Sequence, residues 1–340
     1  MATYKQAGVD IEAADRLVGS IAADVTRTWG NDVVGGFGGF AAGIRIPAGF
    51  EHPILMMSTD GVGTKLEIAR RHDALDGIGF DLVAMCVDDL AAVGASPLGF
   101  TDYIAVGAID PVREQRIVRS VAAACAAAGC ALLGGETAEH PGVMGVDHLD
   151  VAGAALGIVE EGHEVTGDGI RPGDAVIGMF SPNLRSNGFS LVRQVFDLDR
   201  LHDQFPGDTR SVGDVLTEPS VIYSPAVLAA VATGGVHGLA HITGGGLPGN
   251  VGRPLPTGLQ AVIDTASWMP PGVFEVVARR GEISRPEMFA TFNMGIGFVA
   301  VAQRGATDDI IATFAAHGHD AAVIGSIRPG DQPVELAGLS

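Results

Sequence analysis

The stretch FDLVAMCVDDLAAVG, residues 80–94, decides the fold because it is apolar almost all round and yet carries three carboxylates. It predicts a buried helix on which Asp81 and Asp88 lie on one face, two turns apart. A carboxylate in an apolar setting is costly, so Asp81, Asp88 and Asp89 must meet hydrogen-bond donors, a metal ion or each other. We favour a metal-binding helix over a helix with a solvated acidic stripe.

A buried strand is predicted earlier in the chain, over residues 53–59 (PILMMST). Its carboxyl end delivers the turn Asp60-Gly61-Val62-Gly63-Thr64-Lys65, in which the two glycines let a ligand approach the backbone. Asp60 offers oxygen to a hard cation, and Lys65 offers charge to a phosphate. The spacing is not that of a Walker A loop, and a turn without function is the alternative.

The next part of the chain repeats the pattern of a strand followed by glycines. Asp110 and Pro111 predict the start of an amphipathic helix that ends at Gly129. Residues 130–133 then predict a strand that runs into Gly134, Gly135, Glu136 and Thr137. Further strands are predicted over residues 149–159 and 175–180. We therefore predict an α+β fold of two domains, residues 1–168 and 169–340.

Glycine-rich turns also mark the second half. The segment Ser186-Asn187-Gly188 opens a predicted helix, and HITGGG, residues 241–246, follows an apolar stretch. Successive backbone N–H groups in Thr243, Gly244, Gly245 and Gly246 form a candidate phosphate site. His241 beside them is a candidate proton carrier or hydrogen-bond donor, with a structural role as the alternative. Asn293 precedes a late strand, where close strand packing is as good an interpretation as a site.

The glycine-rich segment of residues 34–41 (VGGFGGFA) formally contains G-x-G-x-x-A but has no βαβ frame, so we reject a dinucleotide fold. A loop that closes over a ligand and a plain linker both remain open for it. Zinc-hydrolase, redox-dithiol and nucleophile-elbow motifs do not occur in the sequence.

Composition narrows the class of partner. The 340 residues are 47% apolar with a formal net charge of −19, which opposes binding to nucleic acid or anionic lipid and favours small molecules. Three cysteines without a framework predict a reduced, cytoplasmic setting, and no apolar run predicts a membrane span.

Seven segments together resemble the cyclo-ligase family, which uses ATP to close formylglycinamidine ribonucleotide to aminoimidazole ribonucleotide. They match in order and spacing over almost the whole chain, and they comprise residues 4–10, 60–65, 81–89, 134–139, 186–188, 241–246 and 292–293. The resemblance implies a fold of the AIR synthase type, a homodimer whose N-terminal sheets pair into a barrel, and the use of ATP and Mg²⁺.

The resemblance also implies roles for individual residues. The implied catalytic residues are His241, Lys65 and Asp89, and the implied metal ligands are Asp60, Asp88, Asp89 and Glu136. The implied ATP-binding residues are Asp60, Gly61, Gly63, Thr64, Lys65, Gly135, Glu136 and Thr137. The implied substrate-binding residues are Ser186, Asn187, Gly188, Thr243, Gly244, Gly245, Gly246 and Asn293.

The chain departs from the family pattern at four positions. The family commonly has Asn at Asp88, His at Arg185, Met at His140 and an acid at Gly249. We hypothesise that the carboxylate of Asp88 tightens magnesium binding. The alternative functions are a phosphotransferase like thiamine-monophosphate kinase and a catalytically silent nucleotide-binding subunit.

Overall fold

The computed structural model describes residues 11–339, and the segment of residues 4–10 lies outside them. The helices are α1 (Ile11–Thr26), α2 (Lys65–Arg71), α3 (Ile78–Ala92), α4 (Pro111–Ala128), α5 (Phe189–Val195), α6 (Val212–Leu216), α7 (Ser224–Thr233), α8 (Gly246–Val251), α9 (Gly272–Gly281), α10 (Arg285–Thr291) and α11 (Thr307–Ala316). In the described range, none of them has the length and apolar character needed to cross a membrane.

The strands are β1 (Val33–Val34), β2 (Gly43–Ile44), β3 (Pro53–Gly61), β4 (Ser96–Val106), β5 (Ala131–Glu139), β6 (Leu149–Glu160), β7 (Ala175–Phe180), β8 (Val236–His241), β9 (Leu259–Asp264), β10 (Ile296–Ala302), β11 (Ala321–Pro329) and β12 (Val334–Ala337). They form a four-stranded sheet in the order β3-β6-β4-β5, a six-stranded sheet in the order β12-β9-β11-β7-β10-β8, and the small pair β1-β2. Each large sheet comes from one half of the chain, and the α+β prediction is confirmed. The boundary at residue 168 stays a prediction.

Local sequence signals account for α4. The side chain of Asp110 accepts hydrogen bonds from the backbone N–H groups of Val112 and Arg113, and Pro111 occupies the first turn. Gly129 ends the helix with φ of 74°, a left-handed conformation that glycine adopts without strain. The predicted start and end of this helix are both confirmed.

Strand β5 corrects one prediction. Gly134, Gly135, Glu136 and Thr137 lie within the strand, whereas the sequence suggested a turn after it. Parallel pairing with β4 continues through Tyr103 opposite Glu136 and reaches Glu139, so the glycines keep an extended backbone. Glycine weakens a strand but does not end it where a partner strand supplies the hydrogen bonds.

The four-stranded sheet is covered on only one face. Its inner face packs against α3 and α4 through buried side chains such as Phe100 and Ile104. Its other face carries Leu55, Met57, Tyr103 and Leu156, and the first three are 50%, 75% and 42% exposed. We call this surface the open sheet face. In the described part of the chain, no element covers it.

Helices α3 and α4 approach so closely that only glycine fits at residue 79. A Cβ on Gly79 would lie 2.1 Å from the backbone of Ser120 and Val121, and the Gly79 N–H donates to Ser120 Oγ at 2.9 Å. This contact fixes the distance between the two helices that support the sheet.

We expect Gly79→Ala to lower the free energy of unfolding by roughly 1–3 kcal/mol, because the backbones must separate. The matched control is Gly19→Ala in α1, where a Cβ meets nothing within 4 Å. It should stabilise the protein by about 0.5–1 kcal/mol through helix propensity. Urea unfolding measures both, and equal responses would contradict the close approach.

Candidate functional site

His241 stands at the centre of a hydrogen-bonded chain between the two halves. Its Nδ1 lies 2.8 Å from Asp89 Oδ1, and its Nε2 lies 3.1 Å from Arg185 Nη2. A guanidinium only donates, so Nε2 must accept and Nδ1–H must donate to the carboxylate. His241 is buried at the end of β8, which rests against Phe298 of β10. These contacts hold the ring in one orientation, so that it orients Asp89.

This geometry favours the hydrogen-bond donor over the proton carrier for His241. Both ring nitrogens already have partners, and the side chain is 2% exposed. A proton carrier needs a nitrogen within reach of substrate. His241 is therefore better described as a positioning residue for Asp89 than as a catalytic one.

Asp60 and Asp89 form the accessible part of this centre. Asp60 is exposed at the end of β3, where Oδ1 accepts from the Gly61 N–H at 2.7 Å, and the side chain of Asp89 is 48% exposed. Partial burial of its carboxyl group raises the pKa of Asp60; the Gly61 N–H opposes this rise, and the charge of Asp89 adds to it by a smaller amount. A cation between the two carboxylates would relieve their repulsion.

The residues fit Mg²⁺ as a two-carboxylate site. Mg²⁺ commonly takes one or two carboxylates and completes its shell with water and substrate phosphates. Within residues 11–339, no three His, Cys, Asp or Glu side chains lie close enough together to hold a metal ion. Asp60 and Asp89 are thus the candidate ligands, and phosphate oxygens would complete the set.

Asp88 does not take part in such a site. It is fully buried, with Oδ2 at 2.7 Å from Arg185 Nη2 and Oδ1 accepting from the N–H groups of Tyr223 and Ser224, both at 2.9 Å. Both of its carboxylate oxygens accept hydrogen bonds from donors of the same chain. The proposed tightening of magnesium binding by Asp88 is inconsistent with this position.

Glu136 is too distant to share an ion with Asp60. The sheet register places Gly61 opposite Ala152, Ala152 opposite Tyr103, and Tyr103 opposite Glu136. Three strand spacings correspond to about 14 Å at about 4.8 Å per strand. Within one chain, Glu136 therefore belongs to a different part of the surface.

Lys65 also differs from the sequence prediction. Its ammonium is fully buried and donates to Asp81 Oδ1 at 2.8 Å and to the carbonyl oxygens of Arg185 at 3.0 Å and Glu218 at 2.7 Å. Burial lowers the pKa of Lys65, and Asp81 opposes that effect. With all three N–H groups in use, Lys65 joins the halves of the protein and is not available to a phosphate.

The two predicted substrate loops meet at this centre. Asn187 donates to Met85 Sδ on α3 at 3.6 Å, and its Oδ1 lies 3.7 Å from where a Cβ on Gly244 would stand. Thr64 Oγ1 lies 3.3 Å from Ser190 Oγ, so the turn after β3 reaches the same place. The structure thus brings together residues 60–64, 186–188 and 243–246.

Asn250 holds the glycine loop in shape. Its Nδ2 donates to the carbonyl oxygens of Thr243, Gly244 and Gly246, at 3.3, 3.2 and 2.8 Å. A Cβ on Gly246 would lie 2.0 Å from the Phe289 oxygen, so glycine is required there. With these carbonyls bound from one side, the loop can present N–H groups on the other.

Asn293 lies apart from the loops. It is buried, donates to the Asn183 carbonyl at 3.1 Å, and accepts from the Gly295 N–H at 2.7 Å. These bonds shape the turn into β10, as the packing interpretation of this segment predicts.

A cavity of about 630 Å³ lies between α1, the glycine-rich segment 36–42 and strands β4 and β5. Gly135, Glu136 and Thr137 line it, and Asp102 forms part of its wall. The predicted ATP-binding residues therefore separate into this cavity and the turn at residues 60–64. Sequence reasoning missed Asp102, although an acid at an inward position of an apolar strand was a signal for it.

Asp88 and Arg185 replace two residues of the family pattern and pair with each other. We therefore expect the effect of substituting Asp88 on the free energy of unfolding to depend on the residue at position 185. Asp88→Asn should cost about 3–5 kcal/mol, because it leaves a buried guanidinium without a counter-ion. Adding Arg185→His should restore most of the loss. Urea unfolding measures both.

The control for this cycle is Asp203→Asn, because Asp203 pairs with Arg200 at the surface, where both side chains are largely exposed. It should change stability by less than about 1 kcal/mol. A loss as small as this for Asp88→Asn would refute the buried pair.

Comparison with known proteins identifies the family. The models for the N-terminal and C-terminal domains of AIR synthase related proteins match residues 40–159 and 171–335. A protein of Sorangium cellulosum named phosphoribosylformylglycinamidine cyclo-ligase is 46% identical, covering 98% of this chain and 97% of its own. One of the same name from Parasynechococcus marenigrum is 44% identical, covering 99% of both chains.

Solved structures share the fold at lower identity. Thiamine-monophosphate kinase from Stenotrophomonas maltophilia aligns with a TM-score of 0.71 at 20% identity, covering 94% of this chain and 96% of its own. The hydrogenase maturation protein HypE in complex with ATP aligns with a TM-score of 0.65 at 20% identity. The alignment covers 93% of this chain and 86% of the HypE chain. On the family models and the identities to curated relatives, this chain belongs to the phosphoribosylformylglycinamidine cyclo-ligase family of AIR synthase related proteins.

Proposed function

We propose that this protein closes the imidazole ring of formylglycinamidine ribonucleotide, using ATP and releasing aminoimidazole ribonucleotide, ADP and phosphate. Relatives at about 45% identity carry the name of this activity over nearly their whole length. The observation in the structure that best supports the proposal is the pair of carboxylates Asp60 and Asp89 beside two glycine-rich loops, with Asp89 held by His241. Carboxylates that bind a cation next to N–H-rich loops suit the transfer of a phosphoryl group.

The proposed reaction takes place in two steps. The formyl amide oxygen of the substrate attacks the γ-phosphorus of ATP, which forms an imidoyl phosphate and releases ADP. The amidine nitrogen then attacks the activated carbon, a carbon–nitrogen bond forms, and phosphate leaves with the former amide oxygen. Positioning the nitrogen against the carbon contributes more than a strong base, because phosphate is a good leaving group.

The side chains of this chain supply binding and orientation. Asp60 and Asp89 would hold Mg²⁺, which neutralises charge on the phosphoryl group when bound. The loop of Thr243 to Gly246 would bind a phosphate through N–H groups, and Asn187 would face the same space. His241 keeps Asp89 in one orientation through its Nδ1–H. An enzyme that lowers the activation barrier by positioning the reacting groups needs side chains that are held in place in this way.

We also propose a homodimer that buries the open sheet face. A surface that exposes Leu55, Met57 and Tyr103 on one sheet is rarely left in contact with water. A second copy is the partner that fits, because two such sheets pack face to face into a barrel, as in the family. The buried cysteines agree with a reduced, cytoplasmic setting, which remains part of the proposal.

The activity is tested by incubating purified protein with formylglycinamidine ribonucleotide, ATP and magnesium. We expect aminoimidazole ribonucleotide and ADP in equal amounts. Asp89→Asn should lower kcat by roughly 10²- to 10³-fold, the size of effect seen when one charge-stabilising group is removed. Asp308→Asn, an exposed acid in α11, is the control and should leave kcat unchanged. ATP binding without product would favour the silent subunit, and phosphorylation of thiamine monophosphate would favour the kinase.

The dimer is tested with Met57→Arg, which places a charge in the open sheet face. Burying an unpaired charge is unfavourable, so sedimentation should show a shift from dimer to monomer at micromolar concentration. Met269→Arg is the matched control, because Met269 is 91% exposed and lies in the other half of the chain. A wild-type monomer, or a dimer that tolerates Met57→Arg, contradicts this assembly.

A further inference from the structure

Arg185 is a completely buried cation that lies between a structural ion pair and the candidate metal ligands. Its Nη2 donates to Asp88 Oδ2 at 2.7 Å and lies 3.1 Å from His241 Nε2. Asp88 Oδ2 itself is 3.9 Å from His241 Nε2, which is too far for a hydrogen bond. The guanidinium therefore bridges two side chains that do not bond to each other directly.

The geometry of this guanidinium is not the one that best stabilises an ion pair. Arginine often binds a carboxylate through two parallel N–H groups from two of its nitrogens. Here the single atom Nη2 serves both neighbours, and among the residues that the structure describes neither Nε nor Nη1 has a hydrogen-bond acceptor in good geometry. Buried N–H groups without acceptors cost stability, so the arrangement favours the bridge to His241 over the strength of the ion pair.

The backbone of Arg185 is fixed as well as its side chain. Its φ is 58°, a left-handed conformation that is uncommon for a residue other than glycine. Asn183 Oδ1 accepts from the Arg185 N–H at 2.9 Å, and Lys65 donates to the Arg185 carbonyl oxygen at 3.0 Å. The chain then continues into the candidate substrate segment of residues 186–188. One residue thus anchors that segment and also contacts His241.

Tyr223 holds the guanidinium in place from the side. The guanidinium carbon lies 4.7 Å from the centre of the Tyr223 ring. The Tyr223 hydroxyl donates to the Phe180 carbonyl oxygen at 2.9 Å, and a Cβ on Gly297 would lie 2.3 Å from that hydroxyl. The ring is therefore fixed between two strands, and it leaves the guanidinium little freedom to turn away from His241.

We infer that Arg185 is a positioning residue for the proposed reaction, which acts through His241 on the metal-binding carboxylate of Asp89. Its Nη2–H holds His241 Nε2 as an acceptor, so Nδ1–H of the same ring points at Asp89 Oδ1, 2.8 Å away. Groups that support a metal ligand in this way commonly change metal affinity or activity by about 10- to 100-fold. The inference rests on the proposed function, because that function makes Asp89 a magnesium ligand.

The test removes the guanidinium without leaving a buried charge. In Asp88→Asn/Arg185→Met both members of the pair become uncharged, and the flexible methionine replaces the arginine stem. We expect kcat to fall about 10- to 100-fold and the magnesium concentration for half-maximal rate to rise. KM for formylglycinamidine ribonucleotide should change much less, because the backbone of residue 185 still anchors the substrate segment. Urea unfolding checks that the variant is folded.

A second variant keeps the inference testable if the first does not fold. Arg185→Lys retains a cation for Asp88, but its stem is one bond shorter, so the ammonium stays with the carboxylate and leaves His241. We expect stability close to wild type and a fall in kcat of about tenfold or more. Wild-type kcat in Arg185→Lys would contradict the inference.

A spectroscopic readout separates positioning from a merely structural role. Nitrogen-15 NMR of histidine-labelled protein, without magnesium or nucleotide, should show His241 Nε2 as a hydrogen-bonded acceptor, and the spectrum of His241→Gln assigns its signals. In both Arg185 variants the Nε2 signal should move to the position of a ring nitrogen without a donor. Unchanged His241 signals in a folded variant would show that Arg185 does not hold this ring.

The matched control, Asp174→Asn/His237→Met, removes another buried carboxylate together with its partner. His237 lies near the start of β8, the strand that ends at His241, and its Nδ1 is 2.8 Å from Asp174 Oδ2. We expect this variant to lose stability and to keep wild-type kcat and His241 signals. If it loses kcat as strongly as Asp88→Asn/Arg185→Met, the loss reflects stability alone and the inference is wrong.

The outcomes separate the inference from the proposed function. If wild-type protein makes aminoimidazole ribonucleotide and the folded Arg185 variants keep its kcat and magnesium dependence, the inference is wrong and the function stands. If no product forms but the His241 signals change in these variants, the contact that holds His241 stands and the proposed reaction is wrong. If no product forms and the signals do not change, both are overturned.

Discussion

The structure depends on neutralising the carboxylates of one apolar helix, α3. Asp81 meets Lys65 and the N–H and hydroxyl of Ser220, Asp88 meets Arg185, and Asp89 meets His241. Most of these partners come from the second half of the chain. Because an unpaired buried charge is costly, α3 is stable in this place only when the two halves are docked. Domain packing and site formation are therefore one event.

The three acids differ in exposure, and this difference assigns their roles. Asp81 and Asp88 are completely buried, whereas the side chain of Asp89 is 48% exposed. Only the last of them can reach a cation from solvent. The order of contacts from Asp88 through Arg185 to His241 and Asp89 transmits the rigidity of the core to that accessible carboxylate. Such support from buried neighbours fixes a functional side chain better than a loop does.

The sequence predicted the structural features that depend on residues close together along the chain. The ends of α4 followed from Asp110 and Gly129, and β7 followed from an apolar run after a turn. The interpretations of Lys65, Asp88 and Glu136 required partners from distant segments. Lys65 lies beside Glu218, which no local pattern connects to it, and Glu136 is separated from Asp60 by the order of strands. A charged residue next to glycines occurs both in phosphate-binding loops and in buried ion pairs. The sequence alone does not distinguish the two, because the difference lies in the tertiary contacts.

A protein with a large negative net charge can bind polyanions only through favourable groups at the binding site itself. The net charge is −19, and the basic groups nearest the centre, Lys65 and Arg185, both serve internal carboxylates. What remains for a phosphate is a cation held by Asp60 and Asp89 and the N–H groups of the glycine loop that Asn250 arranges. This division explains why glycines surround the centre. Backbone N–H groups bind an anion without adding a charged side chain to the site. Lys65 and Arg185 therefore remain in the buried ion pairs that stabilise the fold, and other groups bind the phosphate.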